Sequence, residues 1–360
     1  MNKILKFLYE LNADDYISDE TILEAYDEIL EMKDKEKSNI CISTLFTYLM
    51  LKRKDPQLIT KLLKMSFKRD KFIPFYEKMK NTSKYPVISL SGSGKKGIKT
   101  INISTASAIV AVSLGANILK PCSTATSSQS GSYDFLNMVG VNTDVNIENT
   151  KKLLNKTGFG IFPIEKLIPK FDYVYGDVFY APNILSFGLA ALICPIKPDI
   201  VLYGLANDGI EICGPILNNF GIEKYRIVSS KENNKFIDEL NVFGTSSIIN
   251  NNEKRKKYNF QKILNLPTYS DKDIKQFENK KQNIKQALDV LSGNSNNAYE
   301  DIIALNSGNI LQLSGITKTI EEGYYISKEK IRTGDCIQTL EKIIIESGGD
   351  VTKLYKIMEG

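Results

Sequence analysis

Residues 91–134 hold the densest set of groups able to do chemistry. A β-type run, Tyr85-Pro86-Val87-Ile88-Ser89-Leu90, enters a glycine-rich loop, Ser91-Gly92-Ser93-Gly94-Lys95-Lys96-Gly97, and Thr100-Ile101-Asn102-Ile103-Ser104-Thr105 then opens an Ala/Val-rich helical pattern. Glycines let backbone N–H groups approach an anion, a helix N-terminus adds positive potential, and the Ser104 and Thr105 hydroxyls supply donors or a ligand for a hard cation. Lys95, Lys96, Lys99 and Lys120 bring charge to the same stretch. Together these suit a phosphate-bearing ligand, although a bare Gly-x-Gly is more often a tight strand-to-helix turn with solvated lysines. Asp238-Glu239, standing alone, reads as an ordinary acidic loop pair or helix start. Cys122 reads either as a thiol nucleophile or as a packed residue at a strand end. The chain has no histidine, which removes Ser/His/Asp and Cys/His nucleophile systems, His-ligated metals and imidazole bases.

The elements that must carry these groups follow from periodicity. The first eighty residues read as helices: Ile22, Tyr26, Ile29 and Leu30 repeat after Ser18-Asp19, and Asp55-Pro56 pairs an N-cap with a proline at the first helical position. From about 85 to 250, strand-like and helix-like segments alternate, with candidate strands at 117–120, 199–204 and 225–228 and a helical pattern over 209–220. That alternation is the α/β signature. Residues 250–285, rich in Lys, Asn and Asp, predict a surface segment with a short helix. Helical periodicity returns from 283 to the end, through Ile302, Ile303 and Leu305 and then Ile337, Leu340, Ile343 and Ile344.

With 360 residues the chain has length for about two domains. Lys+Arg 47 against Asp+Glu 42 leaves +5, too small an excess to imply nucleic-acid binding. Five dispersed cysteines with no C-x-x-C pair suggest neither a disulfide framework nor a zinc ribbon, and they fit a reducing, cytoplasmic compartment. The N-terminal stretch Met1-Asn2-Lys3-Ile4-Leu5-Lys6 is unlike a secretory leader, and the best apolar run, 184–196, falls short of the ~20 residues of a membrane span.

Order and spacing add a resemblance. Gly92-Ser93-Gly94 followed by Asn102-Ile103-Ser104-Thr105, then Lys120, Ser127-Ser128 and Gly131-Ser132-Tyr133-Asp134, then Asp238-Glu239-Leu240 with Gly244-Thr245, resembles the anthranilate phosphoribosyltransferase family and the nucleoside phosphorylase/phosphoribosyltransferase fold around it. The resemblance covers nearly the whole chain. It implies an α/β fold: a small helical domain (1–82, with a helical insertion near 160–195) beside a larger α/β domain (83–360) that binds the phosphoribosyl donor on a central mixed, mainly parallel sheet flanked by helices. By the same resemblance Gly92, Ser93, Gly94, Lys96, Thr100, Asn102, Ser104, Thr105, Lys120, Ser127 and Ser128 would cradle 5-phosphoribosyl diphosphate (PRPP). Ser104, Asp238 and Glu239 would hold Mg²⁺. Family members are commonly homodimers through the helical domain.

The pattern breaks where donor or acceptor would be selected. The family loop continues Gly-Gly-Asp-Gly, and here reads Gly94-Lys95-Lys96-Gly97; the family's Lys-His-Gly-Asn-Arg reads Lys120-Pro121-Cys122-Ser123-Thr124. In the segment Phe171-Asp172-Tyr173-Val174-Tyr175-Gly176-Asp177, Gly176 falls where the family's arginine engages the anthranilate carboxylate. A carboxylate acceptor wants a bidentate guanidinium. The expectation is therefore a phosphoribosyltransferase whose small acceptor is aromatic or heteroaromatic but not anthranilate, met by Ser123, Ser132, Tyr173, Tyr175 and Gly176, with Phe179 and Tyr180 nearby. These aromatics read equally well as core residues. The rival readings are a nucleoside phosphorylase-like enzyme and a non-catalytic, nucleic-acid-binding relative; neither a membrane nor a nucleic acid is the expected partner.

Overall fold

A computed structural model describes residues 2–13, 16–79, 83–123, 131–295 and 297–359. Four helices lead the chain: α1 (Lys3–Ala13), α2 (Asp19–Leu30), α3 (Lys35–Lys52) and α4 (Pro56–Lys68). Their starts follow the expected cap chemistry. Ser18 accepts from the Thr21 N–H, and Asp55 accepts from the Gln57 N–H with Pro56 behind it.

Among the described residues, eight strands make one sheet: β1 (Val87–Gly92), β2 (Asn117–Cys122), β3 (Phe159–Pro163), β4 (Ile200–Gly204), β5 (Tyr225–Glu232), β6 (Lys235–Ile237), β7 (Thr245–Asn250) and β8 (Lys256–Tyr258). The order is β3-β2-β1-β4-β5-β7-β8, with β6 also paired to β5. The first five strands run parallel, and β6, β7 and β8 add antiparallel pairings. Chain order reverses between β1 and β4. In open α/β sheets ligands bind beyond the carboxyl ends of the strands at such a reversal. Here that point is Gly92, which faces Gly204 across the ladder.

Both faces of the sheet are buried, and strand alternation sorts side chains between two cores. Ile88, Leu90, Ile118, Leu202 and Val228 join the core beneath helix α5 (Ile103–Ser113) and the C-terminal helices. Val87, Leu119, Val201, Tyr203 and Ile227 join the core beneath α1 to α4. Between β2 and β3 lie α6 (Ser132–Met138) and α7 (Ile147–Thr157); after β3 come α8 (Ile164–Leu167) and α9 (Pro169–Tyr175), which share the second core. The segment expected to be helical near 160–195 therefore begins as a strand through Pro163.

Two other expectations change. The 209–220 pattern is a 3₁₀ turn, Ile210–Ile212, followed by a helix, Cys213–Asn219. The 250–285 segment holds strand β8 besides short helical pieces, and its Phe260, Leu264 and Ile274 are core residues.

Candidate active site

The glycine loop leaves β1 at the reversal point and is fixed from two sides. The Ser93 N–H donates to the Gly204 carbonyl at 2.9 Å, and Ser93 Oγ accepts from the Ala206 N–H at 2.9 Å. Gly94 has φ +61°, a left-handed conformation that favours glycine, and its N–H donates to Asp238 Oδ2 at 2.8 Å. The loop and the N-terminus of α5 enclose a cavity of about 150 Å³. Gly92, Gly94, Lys95, Lys96, Lys99, Thr100, Asn102, Ser104, Thr105 and Lys120 line it, with Asp238 and Glu239 on the far wall. Four ammonium groups against two carboxylates leave the lining two positive charges in excess. Lys120 is 3% exposed on β2 and donates to Ser104 Oγ at 3.2 Å; burial lowers its pKa below the usual lysine range. The helix terminus and the lysine ammonium groups, that of Lys120 buried, together make a seat for a multiply charged anion.

The acidic pair lies in the loop after β6 and is held by its backbone. Ser230 Oγ donates to the Glu239 carbonyl at 2.7 Å, and Asn306, on the helix Ala298–Leu313, accepts from the Leu240 N–H and donates to the Leu240 carbonyl at 3.0 and 2.9 Å. Lys96 occupies the space between the carboxylates. Its Nζ donates to Glu239 Oε1 and Oε2 at 3.0 and 3.2 Å and to Thr100 Oγ1 at 2.8 Å, with Asp238 Oδ1 at 3.7 Å. Burial opposes the ammonium, but Glu239 and Asp238 together overcome it and raise its pKa. Burial and then the adjacent Asp238 carboxylate push the Glu239 carboxyl above its ordinary value, against the pull of Lys96. The residues do not fit a resident divalent ion on this pair. Both Glu239 oxygens already hold the Lys96 ammonium and Ser104 Oγ is engaged by Lys120, while Asp238 Oδ1, 3.7 Å from that ammonium, is buried with no hydrogen-bond partner among the described residues.

A second pocket of about 140 Å³ shares Gly92, Gly94, Lys95 and Ser123 with the first. Its far side is aromatic and acidic: Phe171, Tyr175, Phe179 and Tyr203, with Glu165, Asp172 and Asp177. Tyr175 stacks on Phe171 and packs against Phe179, and its hydroxyl accepts from Lys95 Nζ at 3.0 Å and Asn183 Nδ2 at 2.9 Å. Burial, then Asp177, raise the pKa of the half-buried Asp172.

Residues 84–337, well over half the chain, match the family model described as glycosyl transferase family, a/b domain. The chain belongs to that family. Within it, this glycosyl transferase is a member of the anthranilate phosphoribosyltransferase family, a group of pentosyltransferase enzymes. It is 28% identical over 261 residues to the anthranilate phosphoribosyltransferase of Helicobacter pylori (strain G27), covering 72% of this chain and 77% of that one. It is 27% identical over 345 residues to that of Acetivibrio thermocellus, covering 91% and 92%. The fold is shared with the Saccharomyces cerevisiae enzyme in complex with PRPP and Mg (TM-score 0.77, 19% identity, 96% and 98% covered). It is shared also with the Thermus thermophilus enzyme (TM-score 0.75, 19% identity, 97% and 100% covered).

In this glycosyl transferase, the described residues expected around the donor converge on the first cavity, except that Ser93 faces the second. Ser127 and Ser128 lie outside the described residues. The acceptor set separates. Tyr175 and Gly176 line the second pocket, Ser123 lines both, and Ser132 lines only the first, accepting from the Ser123 N–H at 3.2 Å. Tyr173 lines neither: it is 57% exposed on the outer face of α9, under the Lys35 ammonium at 5.1 Å. Residues 173 and 175 sit two apart on a helix and so face different ways. Tyr180 is exposed as well. Cys122 is a packed strand-end residue, buried, its thiol pushed up to about 12 by burial. Lys95 and the acids Glu165, Asp172 and Asp177 were not anticipated around an acceptor. On the donor side, Ser91 was not anticipated; its buried Oγ lines the first cavity with no hydrogen-bond partner among the described residues.

Proposed function

We propose that this protein transfers the 5-phosphoribosyl group of PRPP to an aromatic or heteroaromatic acceptor other than anthranilate, releasing diphosphate. The observation that carries this is the pairing of two joined cavities, one lined by ammonium groups, N–H groups and hydroxyls, the other by stacked aromatics and carboxylates. Lys95, Lys99 and Lys120 would meet the charge that builds on the departing diphosphate, and the α5 N-terminus with Ser104 and Thr105 would fix its oxygens. No strong base is compulsory when an oxocarbenium-like ribosyl centre meets a nucleophile held in line. The yeast enzyme's complex holds Mg with PRPP; no step proposed for this protein runs through a metal.

The acceptor side supports exclusion of anthranilate. No arginine lines the second pocket among the described residues, and a carboxylate there would face Glu165, Asp172 and Asp177 against the single ammonium of Lys95. At Gly176 a Cβ would stand 2.7 Å from the Asp172 carbonyl oxygen, so any side chain, arginine included, requires the end of α9 to move. Tyr175 and Phe179 offer a stacking surface for a neutral or amine-bearing ring. Isothermal titration with PRPP tests the donor half, with binding expected and its absence fatal to the reading. Turnover of PRPP with anthranilate tests the acceptor half; none is expected, and release of diphosphate at the rate of a committed enzyme would refute it.

A second reading draws on the Lys96 contact: with the acidic pair neutralised, the cavity also suits free phosphate, as phosphorolysis of a nucleoside requires. Incubation with nucleosides and phosphate, watching for free base, separates the two. We further propose a homodimer formed through the helical part, and a division between a helical domain (1–82 with the following 164–195 segment) and the α/β domain.

A further inference from the structure

We infer that the Lys96 ammonium is the resident cation of the Asp238-Glu239 pair, so that the native chain takes no divalent ion there and binds its diphosphate donor without one. An ammonium has three N–H donors and no acceptor. Those of Lys96 reach both Glu239 oxygens and Thr100 Oγ1, while Asp238 Oδ1 stands 3.7 Å off. A magnesium ion would need these same oxygens at ~2.0–2.1 Å in octahedral array. To reach them it would enter a buried site already holding a positive charge at contact distance, where like charges are weakly screened.

Displacing the lysine is no easy alternative. Its side chain is 14% exposed, and the loop that carries it is tied down: the Gly97 N–H donates to the Phe236 carbonyl at 2.8 Å, and the Gly94 N–H to Asp238 Oδ2 at 2.8 Å. At Gly97 a Cβ would come within 3.1 Å of the Lys235 and Phe236 backbone, so the loop already lies hard against β6. Withdrawing the ammonium would leave two buried carboxylates side by side, the costly half of breaking a buried ion pair. Lys95, Lys99 and Lys120 remain for the ligand's charge. The claim about the pair stands on this geometry alone; the claim about the donor rests on the phosphoribosyl reading.

The decisive measurement is titration of the native chain with Mn²⁺ alone, followed by electron paramagnetic resonance of the free ion. The native chain should leave the signal undiminished. Lys96→Ala should bind one Mn²⁺ per chain, with affinity higher by roughly two orders of magnitude once the buried like charge is gone, and Lys96→Ala/Glu239→Gln should lose it. One Mn²⁺ bound by the native chain and lost in Glu239→Gln would overturn the inference. So would a folded Lys96→Ala that binds none. If Lys96→Ala fails to fold by circular dichroism, the native and Glu239→Gln titrations still decide. PRPP affinity should then be equal in EDTA and in Mg²⁺ for the native chain and Mg²⁺-dependent for Lys96→Ala. Mg²⁺-dependent PRPP binding by the native chain would overturn the donor claim, whereas failure to bind PRPP under either condition would overturn the phosphoribosyl reading and leave the Mn²⁺ result standing.

Discussion

At the residue scale, ammonium groups set the chemistry of the donor side. Lys96 sits on the carboxylates, Lys95 on the Tyr175 hydroxyl, and Lys120 against Ser104. Their sequence positions were plain, but their targets were not. Lys96 and Glu239 are 143 residues apart, and nothing local in Gly94-Lys95-Lys96-Gly97 says which wall each side chain meets. Tyr173 and Tyr175 illustrate the same limit: either could serve a ring until the end of α9 and the direction of its faces are known. Cys122 offers a direct check. Because burial pushes its thiol up to about 12, the thiolate fraction is negligible at neutral pH and grows only as pH climbs toward that value. Iodoacetamide should leave Cys122 unlabelled in the native chain at about pH 8. Rapid modification under those conditions, read by peptide mass spectrometry, would restore the nucleophile reading.

At the element scale, the site depends on where the loops after β1, β4 and β6 converge. Gly204 is the tightest point, since a Cβ there would collide with the Asp238 carbonyl. Gly204→Ala should push the 238–240 loop outward, lower stability by about 1–3 kcal/mol as an overpacked core position does, and abolish PRPP binding in titration. Asn306 holds the same loop from the opposite side, through both backbone groups of Leu240. Its removal in Asn306→Ala should cost about 1–3 kcal/mol in urea unfolding, because two buried backbone groups lose their partners. It should also weaken donor affinity without altering any group that touches the donor. The main elements were legible because caps and periodicity agree, as at Asp55-Pro56, or because a short β-type run ends in a glycine-rich loop, as at Val87 to Leu90. Strand β8 was not. It is a three-residue edge strand, and Lys256 and Lys257 read as solvated charge, the same feature that protects an edge from pairing with another chain.

For the whole molecule, the helical part exposes apolar side chains. Ile40 and Leu51 stand exposed on one stripe of α3, three helical turns apart, and Leu5 and Tyr9 are exposed on α1. Light scattering should return twice the 40.5 kDa chain mass, and Ile40→Glu/Leu51→Glu should return a single chain with its circular dichroism intact. A native monomer would remove the dimer from the proposal. The two cavities raise a different matter at this scale. Gly92, Gly94 and Lys95 belong to the walls of both, so one short stretch of backbone serves two ligands. Such a partition makes occupancy of the two chambers thermodynamically linked: whatever factor the first arrival changes in affinity for the second is returned in equal measure when the order is reversed. The stiffness of this one loop thereby governs whether the molecule fills at random or in sequence.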